Sequence, residues 1–305
     1  MRNYSAFFVL SIAGFHLQEF YYSRMYIKLP DGKFRLTNDG TLELFFIGTG
    51  FAFARTLFQT NFFIVKGDTH ILVDFGSTGP NALAAVGIEP TDISVFLPTH
   101  SHCDHIGGVE FLSLLNRYVG VSVLKKPKLR MIINEEYQDI LWNMSLRGGM
   151  EFNEVSAYGN RLTFDDYYDV ARPTLKTTSP RETWEIDFNG IKIEIFRVNH
   201  IPGNSTSAGT AFITYGLFID NRIMISGDTK FDMSLIELYA DRAEYIFHDA
   251  SLSPNPVHAS LSELRGLPAD IKKKMFLMHY SDDWRNFPVD DFAGYARQGE
   301  RYIFD

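Results

Sequence analysis

Four residues that could do chemistry fall within a six-residue window: His100, His102, Asp104 and His105. Two imidazoles two residues apart on an extended segment can grip one metal ion. The Asp-His pair just past the turn can grip a second ion close by. Imidazole plus carboxylate is zinc-type chemistry, with manganese or iron as lesser options. Ahead of the window, residues 93–97 are short, apolar and β-branched, and read as a buried strand. Behind it, Gly107 and Gly108 allow a tight backbone before a helical run from Val109 to Leu115. The four side chains therefore belong to a strand-to-helix loop, where a rigid scaffold can aim them at one point. Cys103, at an alternating position between His102 and Asp104, reads as a small buried packing residue rather than a ligand.

The pattern His-x-His-x-Asp-His after an apolar strand resembles the metallo-β-lactamase superfamily. The resemblance implies an α/β fold, the αβ/βα four-layer sandwich, with a dinuclear metal site at one edge. It also implies three further ligands: a distant histidine, an aspartate after a strand and a late histidine. Candidates stand in that order, each at the end of an expected strand. Residues 191–198 deliver His200, residues 222–226 run into Asp228, and residues 275–278 deliver His279. Asp228 matches the bridging carboxylate. The metal set implied is then His100, His102, Asp104, His105, His200, Asp228 and His279, holding two divalent ions, zinc with manganese as the alternative. Asp74 matches a structural aspartate that supports the metal loop. His70, on the hairpin formed by residues 61–65 and 70–74, reads as a surface residue.

The tail narrows the branch. A strand over residues 245–250 reaches Asp249, a helix over residues 257–264 opens around His258, and the final strand ends in His279-Tyr-Ser. This resembles the RNase Z-like branch, where an acidic residue and a helix histidine protonate the leaving group. They map to Asp249 and His258, with Asp where RNase Z commonly has Glu. Two features depart from tRNA processing. Only residues 201–227 separate His200 from Asp228, 27 in all and accounted for by strands, where RNase Z inserts a long tRNA-gripping arm. The chain is also acidic, with a net charge of −8, which disfavours a stable nucleic-acid partner. Residues 146–150, 200–203 and 277–283 are similar to phage anti-Pycsar proteins, RNase Z-like hydrolases of cyclic nucleotides.

That similarity runs from about Leu42 to Asp283. It implies a phosphodiesterase that converts 3′,5′-cyclic mononucleotides to nucleoside 5′-monophosphates. Its catalytic residues are Asp104, Asp249 and His258, with Asp249 orienting His258 to protonate the leaving oxygen. An RNase Z-like endonuclease and a lactonase are the alternatives within the enzyme class. A metal-free nucleotide-binding module is the alternative outside it, and would show substituted ligands; none of the seven is missing.

Length and composition set the remaining bounds. The chain of 305 residues, 45% hydrophobic, has ample material for a core. It divides into an extension over residues 1–40 and a catalytic domain over 41–305. Aromatic residues between Val121 and Asp187 are expected to stack the base, and residues 135–144 to form a helix with Tyr137, Ile140, Leu141 and Met144 on one face. A strand is expected over residues 210–219. The single cysteine leaves no internal disulfide, and the cytoplasm is the default compartment. No run approaches the ~20 apolar residues of a membrane helix. Residues 6–15 make a weak signal peptide and read better as an extra packed element. Residues 19–28 are strand-like, with turn signals at 30–32 and 38–40, and Met25 is an alternative start. The resemblance implies a homodimer. The strip of Phe20, Tyr21, Tyr22, Met25, Tyr26 and Ile27 is expected to join its interface or the active-site rim.

Overall fold

The computed structural model describes residues 25–28, 34–154 and 159–305. In chain order its strands begin with β1 (Met25–Lys28), β2 (Leu42–Gly48), β3 (Asn61–Lys66), β4 (Thr69–Val73), β5 (Val95–Leu97), β6 (Leu129–Ile132), β7 (Tyr168–Ala171) and β8 (Thr174–Thr177). They continue with β9 (Thr183–Phe188), β10 (Ile191–Arg197), β11 (Tyr215–Ile219), β12 (Ile223–Ile225), β13 (Tyr245–Asp249), β14 (Met275–Met278), β15 (Gly294–Tyr295) and β16 (Arg301–Phe304). They form two eight-stranded sheets, β1-β16-β2-β3-β4-β5-β6-β7 and β15-β14-β13-β12-β11-β10-β9-β8. Each sheet has an antiparallel part and a parallel part, the latter β4 to β7 and β12 to β15; in the first sheet the C-terminal β16 inserts antiparallel between β1 and β2.

Alternation along the strands explains the layers. Tyr245 and Phe247 of β13 face the other sheet, where Phe247 meets Phe46 at 5.2 Å and Tyr302 at 5.1 Å. Ile246, between them, turns outward to the cluster that includes Leu235, Ile236 and Leu264. Those residues belong to the helices Met233–Tyr239 and Leu261–Arg265, the crossovers that parallel strands require. Helices Gly79–Val86 and Val109–Leu115 pack Leu83 and Leu112 onto the first sheet. The order is helix, sheet, sheet, helix, which is the expected four-layer αβ/βα sandwich. Among the described residues no helix is long and apolar enough to cross a membrane.

Four local expectations are corrected. His70 is buried, because β5 covers the edge of the hairpin; its Nε2 accepts the Ser94 backbone N–H at 3.0 Å. Its burial pushes the imidazole below its ordinary pKa. The helix from Glu135, capped by the Asn134 side chain, ends at Ile140 and gives way to a π-helix, Leu141–Leu146. The wider turn breaks the 3.6-residue period. Met144 therefore leaves the buried face of Tyr137 and Leu141 and is 73% exposed. The strand expected from residue 210 begins only at Tyr215, because the Arg197 guanidinium takes the carbonyls of Ala208 and Ala211 out of the ladder. The helix expected from residue 257 begins at Leu261, where Ser260 and Glu263 form a capping box.

β1 lies antiparallel to β16 at the sheet edge, with Met25 opposite Phe304. The readings for residues 6–15 and 30–32, and the aromatic strip ahead of Met25, lie outside the described residues. Phe34 stacks on Phe45 with ring centroids 3.9 Å apart.

Phe247 is fully buried where the two sheets meet. Phe247→Ala is expected to lower the unfolding free energy by about 3–5 kcal/mol, read from a urea unfolding curve.

Candidate metal centre

The sequence-predicted residues come off the C-terminal ends of strands that share one edge of the sandwich. β5 leads to His100 and His102, β10 to His200, β12 to Asp228, β13 ends at Asp249, and β14 leads to His279. After β5 the chain stays extended through His102 and then turns into the short helix Cys103–Ile106, which carries Asp104 and His105. Helical rather than alternating geometry here turns Cys103 outward, so it is exposed and not a packing residue. Gly108 has an ordinary helical φ; its role is space, since a Cβ there would lie 2.6 Å from the Gly76 carbonyl. Gly76 answers it, with no room for a Cβ beside the Asp104 backbone.

Two groups of donor atoms form. In the first, His100 Nε2 and His200 Nε2 lie 3.0 and 3.2 Å from His102 Nδ1, and Asp228 Oδ2 completes the group at 3.9 and 4.0 Å from His100 and His200. In the second, His105 Nε2 lies 3.1 Å from Asp228 Oδ2 and 3.3 Å from Asp104 Oδ2. His279 Nε2 lies 3.3 and 3.1 Å from the same two oxygens. Asp228 Oδ2 belongs to both groups.

Surrounding acceptors fix which nitrogens are bare. Asp74 Oδ2 accepts His105 Nδ1–H at 2.7 Å, and the Val257 carbonyl accepts His200 Nδ1–H at 2.9 Å. His279 Nδ1 lies 3.3 Å from Asp249 Oδ1, an ion-pair distance at a poor hydrogen-bond angle. The Nε2 atoms of His105 and His200 thus point lone pairs at carboxylates and at His102 Nδ1. Such an arrangement fits cations and little else. The charge balance agrees: Asp74, Asp104, Asp228 and Asp249 are all buried, and their ion pairs among the described residues are with histidines alone. Burial opposes charge on His279, yet Asp228, Asp104 and Asp249 push its imidazole up to about 10. Burial, with the charge of His105, pushes His100 well below its ordinary value. The donor set thus fits divalent metal ions.

Asp74 also accepts the Thr99 backbone N–H and hydroxyl, both at 2.7 Å, so it ties β4 to the metal loop. Asp74 and His279 hold their side chains in place from left-handed backbone, with φ of 59° and 60°. Beside the groups, Asp249 Oδ2 accepts His258 Nδ1–H at 2.7 Å and the Thr229 backbone N–H at 2.9 Å. The His258 ring stacks on that of His279 at 4.9 Å. Its segment is held by Asn255, which accepts the backbone N–H groups of Val257 and His258. Burial works against charge on His258, but Asp249 outweighs it and holds the imidazole above its ordinary value.

Residues 42–302 match the family described as Anti-Pycsar protein Apyc1. The chain belongs to this family. The Anti-Pycsar protein Apyc1 of Paenibacillus sp. (strain J14) is 34% identical over 249 residues, covering 81% of this chain and 92% of that one. That of Bacillus phage vB_BsuM-Goe3 is 31% identical over 275 residues, covering 86% and 98%. Among solved structures, a diphosphatase from the PhnP family superposes with a TM-score of 0.60 at 15% identity, covering 87% of this chain and 98% of that one. The short form of human tRNase Z gives 0.55 at 16% identity, covering 80% and 94%. These structures share the metallo-β-lactamase fold.

In this member of the Apyc1 family all seven expected metal residues and the Asp249–His258 pair converge at one edge. Sequence reasoning found Asp74 but missed other residues that hold them. Thr99 stands inside the motif itself, and Thr229 follows Asp228 directly, so both were in view. Asp282 is a third: its carboxylate accepts the backbone N–H groups of Arg55, Thr56 and Leu57, pinning the loop after β2 beside His279. Nothing local in the sequence signals that contact.

An amide at position 74 would turn an N–H group toward donors. Asp74→Asn is expected to cost about 1–3 kcal/mol of stability, measured by urea unfolding in the presence of a chelator.

Proposed function

We propose that this chain is a metal-dependent phosphodiesterase that hydrolyses 3′,5′-cyclic mononucleotides to nucleoside 5′-monophosphates, and so counters cyclic-nucleotide immune signalling as the name of its relatives suggests. One observation carries the reading: the buried Asp249 holds His258 at 2.7 Å beside two groups of donors that share Asp228. Opening a cyclic phosphodiester expels a sugar oxygen, a poor leaving group that needs a proton.

His100, His102, His200 and Asp228 would hold one divalent ion, and Asp104, His105, His279 and Asp228 the other, zinc or alternatively manganese. Bound there, the ions supply Lewis-acid stabilisation of the phosphoryl oxygens and an activated water nucleophile. Asp104, whose carboxylate faces His105 and His279, would orient the attacking water. Asp249 is sealed from solvent while the His258 side chain is 16% exposed, so the imidazole is the member of the pair that can reach a substrate. Asp249 occupies its Nδ1–H, which leaves Nε2–H as the proton delivered to the leaving oxygen. Burial disfavours the charged imidazole, but Asp249 outweighs it and raises the imidazole above its ordinary value, so the pair favours the acid form, which is lost as pH rises through that raised value. The protein works as a cytoplasmic homodimer, with part of the extension over residues 1–40 at the interface or the site rim.

The chain loaded with zinc or manganese is expected to cleave 3′,5′-cyclic mononucleotides in a panel that also holds a tRNA precursor and a lactone. Turnover of only the tRNA precursor, or only the lactone, would overturn the reading. His258→Ala is expected to keep its metal content and to slow cyclic-nucleotide cleavage by roughly 10²–10⁴. The loss should shrink on a nitrophenyl phosphodiester, whose leaving group needs no proton; equal losses on both substrates would remove His258 from the role.

A further inference from the structure

His200 is fully buried, but the chain leaves the interior directly after it. Pro202, Gly203 and Asn204 are exposed, and Ile201 and Ser205 only half-buried. A loop of this kind has no hydrophobic anchor of its own, yet it must fix the imidazole of His200 to a fraction of an ångström. The Phe212 backbone N–H donates to the Ile201 carbonyl at 2.7 Å, and the rest of the loop gathers around one side chain. Lys230 Nζ lies 2.9 Å from each of four oxygens: the carbonyls of Pro202, Gly203 and Ser205 and the Ser205 hydroxyl. An ammonium has three N–H groups, so four oxygens share three donors around one centre. The surroundings are those of a monovalent cation site, with the cation covalently attached to the chain.

The same residue grips the other side of His200. The Lys230 backbone N–H donates to the Asn199 carbonyl at 2.8 Å, and the Ser205 hydroxyl donates to the Asn199 side chain. Its neighbour Thr229 donates its N–H to Asp249 and accepts the Ala259 N–H at 2.8 Å. The dipeptide Thr229-Lys230 therefore joins the His200 loop to the segment carrying His258, and His200 Nδ1–H closes the link on the Val257 carbonyl.

We propose that Lys230 is a positioning residue whose ammonium, acting as a tethered monovalent cation, orders residues 200–205 and so sets His200 in the first donor group. The inference rests on the reading that His200 helps to hold a metal ion. An arginine does not replace it, because a planar fork cannot aim its N–H groups at the common centre of four oxygens.

The test measures zinc affinity by competition with a chromogenic chelator, and needs no substrate. Lys230→Ala is expected to weaken zinc binding by about 10–100-fold, the usual range for a residue that orients a ligand. Methylammonium added to Lys230→Ala should restore much of the affinity. Tetramethylammonium, with no N–H, should not. Lys230→Met keeps the stem's packing without the N–H groups, and should lose affinity as Lys230→Ala does, with no recovery in methylammonium. It also serves if the alanine variant does not fold. Lys230→Arg should stay weakened. Wild-type affinity in Lys230→Met, or equal recovery with both amines, would overturn the role of Lys230. A wild-type chain without zinc affinity would instead sink the metal reading itself.

Discussion

Four carboxylates stand buried at one edge of this sandwich with histidines as their ion-pair partners and, among the described residues, no lysine or arginine. Burying an anion is costly unless opposite charge accompanies it. Most of the local architecture follows from that constraint. The imidazoles of His105 and His200 present bare nitrogens inward because acceptors outside them, Asp74 and the Val257 carbonyl, claim their protons. The two sheets bring these pieces together because each strand of the parallel halves releases its loop at the same edge. A site so assembled demands cations, and the protein places around it the polar groups that keep each ring turned the right way.

The division of work between the sheets is also physical. Phe247 and Asp249 share one face of β13, two residues apart, so the aromatic that seals the interface and the carboxylate that holds His258 follow from one alternation. The register that buries the ring also delivers the carboxylate into the gap between the sheets. A slip by one residue would send both to the helical side.

The chemistry was legible in the sequence where it was local. His100, His102, Asp104 and His105 announce themselves by spacing, and His200, Asp228, Asp249 and His279 by their places at the ends of apolar runs. The strands that carry them were legible for the same reason. What escaped depended on neighbours far along the chain. His70 reads as a hairpin edge until β5 arrives beside it. Met144 reads as core until the helix widens by one hydrogen-bond step at Leu141. Cys103 follows strand parity only if the motif continues extended, and it does not. His258 was placed on a helix that starts three residues later, although Ser260 and Glu263 carried the signal for that start.

The left-handed backbone at Asp74 and His279 has a consequence of a different kind. A side chain in that conformation costs about 1–2 kcal/mol, and glycine would relieve it at both places. Neither residue can be spared, since one fixes His105 and the other faces Asp104 and Asp228. The contacts of these side chains therefore outweigh the strain: glycine at either position would relax the backbone but leave buried donors or carboxylates without partners, so the two residues hold the edge together as well as the site.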